Sequence, residues 1–367
     1  MAEAPSHTKP SLIRLDETDT LLPRHWVTGS MKYTDFEPLA EGGVAELLVC
    51  TDKNLHRQVV IKRLHDHLRD SEMETRRFLR EARVTAMISH PGTVPVYEIG
   101  RDAEGALYFT MKKLAGRDLR SILLDLAAKN RLVEAEYPLP LLIDALVSVC
   151  QTVAFAHGEG VIHRDLKPAN ILVGAFGEVT VLDWGLAKVH GEEPPPGVEP
   201  PTGEEAVALE LTQPGRRYGT PLYMSPEQAT ADPDLDERSD VYNLGIILYE
   251  MLTLKNLVYG QDVDEVLDQV LNRPTPRPRD EAPAGREVPH ELEVICRKCL
   301  RKNKADRYQS VEALADDLVA YRAGEDVSVY RYGLATRLMR WRARHTLAIA
   351  SAIAFAVGLM VMWLLTR

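Results

Sequence analysis

Between residues 33 and 63 apolar and polar side chains alternate, with turn signals at Glu41-Gly42-Gly43 and Asp52-Lys53-Asn54. A period of two puts every second side chain on one face, so this stretch predicts three short strands. The period then changes. In SEMETRRFLREARVTAMIS, residues 71–89, Phe78, Leu79, Ala82, Thr85, Ala86 and Ile88 fall at helical spacing, and His90-Pro91-Gly92 ends the helix. Strand-like runs follow at 93–99 and 106–111, and helical patterns at 139–157, 237–253, 290–301 and 310–322. A small strand-rich half thus precedes a larger helix-rich half, an α+β arrangement without internal repeats. Residues 1–30 show no period and read as a loose tail.

Two stretches depart from this pattern. Residues 189–216 hold six prolines and six glutamates with no period, and predict a solvated, disordered insert. Residues 346–365, TLAIASAIAFAVGLMVMWLL, are twenty positions without a charge, long enough to cross a bilayer as a helix. The alternative, a buried core helix, would normally carry a polar stripe. The preceding RYGLATRLMRWRARH, 331–345, contains Arg331, Arg337, Arg340, Arg342 and Arg344 and no acid. Positive flanks stay on the cytoplasmic side, so the expectation is a basic juxtamembrane segment (326–345), a transmembrane helix (346–365) and everything before it in the cytoplasm. Trp341 and Trp363 lie near the two ends, and only Thr366 and Arg367 follow, which predicts no sensor domain beyond the span. Ala350, Ala354 and Gly358 form a row of small residues through which two such helices could approach, the basis for expecting a homodimer.

Composition narrows the class. With 367 residues, 45% apolar and 27% charged, the chain suits one large two-lobed domain or two smaller ones. A net charge of −10 argues against nucleic acid as the main partner. Cys50, Cys150, Cys296 and Cys299 are scattered, imply no disulfide framework and fit a reducing cytosol; no apolar leader opens the chain. Cys296-Arg297-Lys298-Cys299 is a C-x-x-C without a second pair on an amphipathic helix, and reads as packing rather than metal or redox chemistry. The eleven histidines form no metal-like cluster.

The chemistry concentrates in VIHRDLKPANILVGAFGEVTVLDWGLAK, 161–188. Asp165, Lys167 and Asn170 lie close together on a proline-kinked loop. Two short apolar strands, ILV and VTVL, joined at Gly174–Gly177, would bring Asp183 back beside Asn170. An aspartate and an asparagine side by side offer hard oxygens suited to Mg²⁺, and a second aspartate can take a proton from an attacking hydroxyl. Turn capping would explain one such residue, but not four polar groups at these spacings.

HRDLKPAN and DWG resemble the catalytic loop and metal-binding triplet of eukaryotic-like (Hanks-type) protein kinases. The likeness runs over roughly residues 33–322: VVIK (59–62), FLREAR around Glu81, GTPLYMSPEQ (219–228), DERSDVYNLG (236–245) and NKADRYQS around Arg307 follow in the family's order. YMSPEQ, DWGLAK and the single span are similar to bacterial serine/threonine kinases, membrane-anchored ones among them. The resemblance implies a two-lobed kinase fold over 31–325, with a β-rich N-lobe at about 31–113, an α-helical C-lobe at about 114–325 and the insert at 189–216.

It also implies roles. Lys62 should hold the α- and β-phosphates of ATP and Glu81 should orient it. Asp165 should orient the substrate hydroxyl and accept its proton, and Lys167 should neutralise the γ-phosphate. Asn170 and Asp183 should bind Mg²⁺. Asp240 should brace the catalytic loop, and Glu227 should pair with Arg307. The adenine edge should meet the segment 109–116, with Met111 and Leu114, and Asp118 falls where the family often has an acid on the ribose. Arg164 should receive a phosphate on the activation segment, for which Thr212 and Thr220 are the candidates. The form of 161–170 and the GTPLYMSPEQ platform point to serine or threonine acceptors on proteins. The rivals are a partner-binding pseudokinase and a small-molecule phosphotransferase.

The phosphate loop departs from the family's pattern. In LAEGGVAEL the G-x-G-x-x-G glycines would fall at 40, 42 and 45, where the chain has Ala40, Gly42 and Ala45, with an extra Gly43. The residues alone leave a plain hairpin open. The resemblance makes Leu39, Ala40, Glu41, Gly42, Gly43, Val44, Ala45, Glu46 and Leu47 the nucleotide loop. Alanine's poor access to positive φ and its methyl group predict weaker nucleotide handling.

Overall fold

The computed structural model describes residues 29–189, 221–260, 262–333 and 346–365. Thr212 and Thr220, the residues 1–28, nearly all of the insert and most of the basic juxtamembrane segment lie outside them. The chain divides into two compact units.

The first unit runs to Arg69 and resumes at Tyr97–Lys113. Strands β1 (Tyr33–Glu41), β2 (Ala45–Asp52), β3 (Arg57–Leu64), β4 (Val96–Arg101) and β5 (Leu107–Lys112) form one sheet in the order β1-β2-β3-β5-β4. β1–β2, β2–β3 and β3–β5 are antiparallel. Alternation buries Tyr33, Cys50, Val59, Ile61 and Tyr108 together as the core of this unit. Pro38, which cannot donate to a ladder, sits on the edge strand β1 between two irregularities of register. The strands at 33–63 thus form as the alternation predicts; in the run at 93–99 Thr93 makes an isolated bridge to Val181 and the strand itself begins at Val96.

The second unit comprises Asp70–Val96 and the chain from Leu114. Helix α1 (Glu72–Met87) starts where Ser71 accepts a hydrogen bond from the Glu74 amide. Residues 70–96 are tied into this unit by Val181 N–H donating to Gly92 O (2.8 Å) and by Arg80 Nη1 donating to Ala187 O. Strands β6 (Arg117–Asp118), β8 (Ile171–Val173) and β9 (Val179–Val181) make a small sheet, and β7 (Val161–Ile162) pairs with β10 (Lys188–Val189). The helices are α2 (Leu119–Ala127), α3 (Arg131–Glu136), α4 (Leu139–Gly158), α5 (Pro226–Ala229), α6 (Arg238–Thr253), α7 (Val263–Asn272), α8 (Pro278–Glu281), α9 (His290–Cys299), α10 (Val311–Arg322) and α11 (Thr346–Leu365).

Helix α6 is the centre of the second unit: every residue from Ser239 to Thr253 is buried. A helix buried on all sides needs a close-packed surround, and Gly245 supplies it. A Cβ there would lie 2.5 Å from Cys299 Cβ on α9, so glycine lets these helices meet. Cys296 and Cys299 are buried free thiols in the same contact region, and burial pushes the Cys299 thiol well up. Helix α4 is long and apolar enough to cross a membrane by length and composition, and half of it is buried. It packs on α6 and α10. Residues 346–365 form one continuous helix, with Phe355, Val357, Leu359, Met360 and Val361 exposed.

Candidate active site

The catalytic residues expected in the second unit come together around β7, β8 and β9. The chain leaves β7 and enters a loop anchored by Asp240, which is fully buried on α6. One Asp240 oxygen accepts from His163 N–H (2.9 Å) and lies 2.8 Å from His157 Nε2, and the other accepts from Arg164 N–H (2.8 Å). Burial alone would raise the Asp240 carboxyl. The His157 hydrogen bond and charge, with the Arg164 amide, outweigh it and hold Asp240 below the usual range. Burial likewise pulls His157 down, but Asp240 wins and raises it. The two shifts are complementary: each partner favours the charged form of the other.

Arg164 has φ 68°, and Asp183 has φ 63°. Left-handed backbone at a residue with a Cβ costs about 1–2 kcal/mol and persists only where the surroundings enforce it. At Arg164 they do. Its N–H is held by Asp240, and its carbonyl accepts from Gln228 Nε2 at 2.6 Å. Burial lowers the Arg164 guanidinium, whose Nε is buried without a hydrogen-bond partner among the described residues.

Asp165 follows, and it is buried. Its Oδ2 accepts from Lys167 Nζ (2.7 Å) and Asn170 Nδ2 (3.2 Å), and its carbonyl accepts from Asn170 Nδ2 (3.0 Å). Its Oδ1 is buried without a hydrogen-bond partner among the described residues. Burial raises the Asp165 carboxyl; the Lys167 charge opposes this and the Asp183 charge adds to it. His163 sits beneath the loop, accepting from Asp165 N–H at Nδ1 (3.2 Å) and meeting Leu182 O at Nε2 (3.2 Å), with its ring 4.5 Å from that of Trp184. Its contacts are those of a residue that packs the loop.

The hairpin β8–β9 returns as its length predicts. Leu182 N–H donates to Asn170 O at 2.8 Å, so Asp183 leaves the hairpin next to Asn170. The Asp183 side chain is exposed, and the Trp184 that follows is fully buried. Gly185 sits close to both acids: a Cβ there would lie 3.2 Å from Asp183 Oδ1 and 3.5 Å from Glu81 Oε2. Glu81, on α1, is thereby placed beside the residues that follow Asp183.

These donors fit a hard divalent cation. The Asn170 amide nitrogen is committed to Asp165, leaving its carbonyl oxygen as the atom a cation can use, beside the Asp183 carboxylate. Among the described residues no group of three His, Cys, Asp or Glu could hold a metal ion. One carboxylate and one amide suit Mg²⁺, which takes much of its coordination from water and phosphate.

Beyond the insert, Ser225 and Gln228 form a capping box on α5, and Gln228 is also the residue that grips Arg164. Glu227 meets Arg307 in a buried bidentate pair at 2.6 and 2.7 Å and also accepts from Ser239 Oγ at 2.7 Å. Burial pushes Glu227 up, but Arg307 outweighs it and holds the carboxyl low. Arg307 spends its remaining donors on the carbonyls of Arg238, Arg301 and Lys302.

Two features here were not foreseen. His157 supports Asp240 across 83 positions, which no local signal marks. Tyr223 donates to Glu250 (2.9 and 3.0 Å), with Arg120 3.9 Å from the same carboxylate, and burial pushes Glu250 up to about 7. Asp118 acts locally, as the cap of α2, where it accepts from Ser121 N–H (2.8 Å) and Ser121 Oγ (2.6 Å). Leu114 is half-buried in this unit.

The first unit carries the loop at 39–47. Ala40 pairs with Leu47, Glu41 with Glu46 and Ala45 with Leu64, so both alanines occupy strand positions. Neither Gly42 nor Gly43 has a positive φ. Gly42 N–H bonds Ala45 O at 3.0 Å, and the turn closes without a left-handed residue, so neither alanine stands where positive φ is needed. Leu39 and Gly43 are exposed, Val44 is half-buried, and Arg63 on β3 binds Glu46 at 3.1 Å. Lys62 pairs with Leu47 and Phe109 in the ladder, and Met111 pairs with Val60.

Comparison with known proteins shows the family. A model of the protein kinase domain matches residues 33–319. The chain is 34% identical over 328 residues to "Serine/threonine-protein kinase PknD" of Protochlamydia amoebophila (strain UWE25), covering 88% of this chain and 33% of that protein. It is 36% identical over 306 residues to the protein of that name from Chlamydia trachomatis serovar L2b (80% of this chain, 32% of the other). Against the one from Chlamydia pneumoniae it is 35% identical over 299 residues (80% and 31%). The chain spans about a third of the length of these relatives. With the family model covering most of its length, the chain belongs to the protein kinase domain family.

Proposed function

We propose that this chain transfers the γ-phosphate of ATP to serine or threonine hydroxyls of proteins, its own activation segment near Thr212 included. The observation that carries the reading is the Asp165 carboxylate: one oxygen is held by Lys167 and Asn170, and the other is buried and unengaged among the described residues. That second oxygen is the acceptor for the proton of the attacking hydroxyl, and burial makes it more basic. Lys167, paired with Asp165, balances charge on the transferred phosphoryl group in this reading. Lys62 takes the α- and β-phosphates, the loop 39–47 covers them, and Asn170 and Asp183 hold Mg²⁺. When bound, that ion neutralises charge on the phosphate oxygens. Such transfer depends on positioning and charge neutralisation, which the Asp240 brace serves by fixing the loop before substrate arrives.

The test uses the full chain in detergent with labelled ATP, Mg²⁺ and a generic basic protein, beside Asp165→Asn and Asp183→Asn. Label on serine or threonine with the parent alone is the expected result. A folded parent that binds ATP but transfers nothing would make it a pseudokinase. We also read the twenty uncharged residues of α11 as a membrane anchor that keeps the kinase domain cytoplasmic and can bring two copies together. The full chain should resist carbonate extraction from membranes, and a chain lacking 346–367 should be released.

A further inference from the structure

His65, which follows β3, makes two contacts with the loop between β1 and β2. Its backbone N–H donates to Val44 O at 3.1 Å, extending the β2–β3 ladder by one step. Its side-chain Nε2 lies 2.7 Å from Gly42 O. A carbonyl oxygen has no proton to give, so this is a hydrogen bond only with the proton on Nε2. The ring is steadied from one side by His67, nearly parallel at 21° with centroids 5.4 Å apart.

The consequence lies in one peptide plane. The Gly42–Gly43 bond is trans, as are all the described peptide bonds, so the Gly42 carbonyl and the Gly43 N–H point in opposite directions. Holding the carbonyl on His65 therefore aims the Gly43 N–H away from His65. Backbone N–H groups at a glycine-rich turn are the donors that phosphate oxygens use. We propose that His65 is a positioning residue that presets the Gly43 N–H for ATP phosphate, in a loop where two of the usual glycines are alanine. This rests on the reading of 39–47 as the phosphate loop.

Three substitutions in the full chain separate the donor from the ring. His65→Gln keeps an N–H at the same distance from the backbone and loses the ring. His65→Phe keeps a ring and loses the donor, and His65→Ala loses both. The readouts are ATP affinity by calorimetry and KM for ATP against kcat, with melting temperature checking the fold. Loss of one hydrogen bond predicts weakening of ATP by about fivefold in His65→Phe and His65→Ala, equivalent to about 1 kcal/mol. The kcat should stay within about twofold, and His65→Gln should stay near the parent. If Phe binds ATP as the parent does, or Gln is as weak as Ala, the donor role is overturned. A parent that binds no ATP overturns the phosphate-loop reading itself. A parent that binds, with folded variants that bind equally, overturns His65 alone.

Discussion

Lys167 Nζ lies 2.7 Å from Asp165 Oδ2, while Oδ1 of the same carboxylate is buried without a hydrogen-bond partner among the described residues. One carboxylate thus combines a fixed orientation with an open acceptor. Asp165→Asn keeps the shape and removes the base. Its kcat should fall by about 10²–10⁴, the usual worth of a positioned general base, while ATP affinity changes little. Lys167→Ala frees the carboxylate to rotate and should lower kcat with at most a small change in KM for ATP. Steady-state kinetics on both variants checks this; an Asp165→Asn enzyme of parental kcat would remove Asp165 from the chemistry.

The Glu227–Arg307 pair is buried and saturated, so removing one partner strands the other. Glu227→Ala or Arg307→Ala should each cost about 3–5 kcal/mol of stability. The double variant should cost clearly less than the sum, because the second removal takes away an already orphaned charge. Urea unfolding of the four proteins gives the coupling directly.

The His157–Asp240 pair makes a pH prediction of definite sign. His157 is raised in the folded protein, so its contribution is complete below its unfolded value of about 6.5 and is lost as pH rises through the higher folded value. Asp240 is lowered, so its contribution is present above about 3.9 and is lost as pH falls through the lower folded value. The stability difference between the parent and His157→Gln should therefore shrink as pH rises into the alkaline range. Melting temperatures across that range test it, and a constant difference would mean that the charge on His157 contributes nothing.

Glu250 behaves in the opposite sense to Asp240. Burial raises it to about 7, so the folded state holds a proton that the unfolded state releases above about 4.3. Stability should fall as pH rises from about 4.3 to 7, by about 3 kcal/mol at most. Glu250→Gln, which keeps an acceptor for Tyr223, should flatten this slope. An identical slope in both proteins would assign it to other groups.

What was legible in the sequence follows from distance along the chain. Asp165, Lys167, Asn170 and Asp183 lie within one short stretch, and a hairpin of readable length closes the geometry. Strands β1–β3 and helices α1, α4, α9 and α10 lie where the sequence pattern puts them, and so does α6, although it is buried on every side. Helices α2, α3 and α7 escaped notice. The start of α2 is Asp118, a residue type that serves equally as a cap and as a ligand, and its role as a cap is settled by Ser121 three positions on. The partners of Asp240 and Glu250 are remote, and sequence spacing carries no trace of them. A glycine pattern suggests special φ at 40 and 45, whereas the alanines there sit in a paired ladder, which the residue types alone do not reveal.

The bonds to Asp240 also set a clock. The amide protons of His163 and Arg164 are donated to a carboxylate borne on a helix with no exposed residue from Ser239 to Thr253. They can exchange with solvent deuterium only when that anchorage opens, so their exchange should be as slow as that of the α6 core. The loop that carries Asp165 would then be among the last parts of its unit to open, and its geometry would persist until the whole unit unfolds.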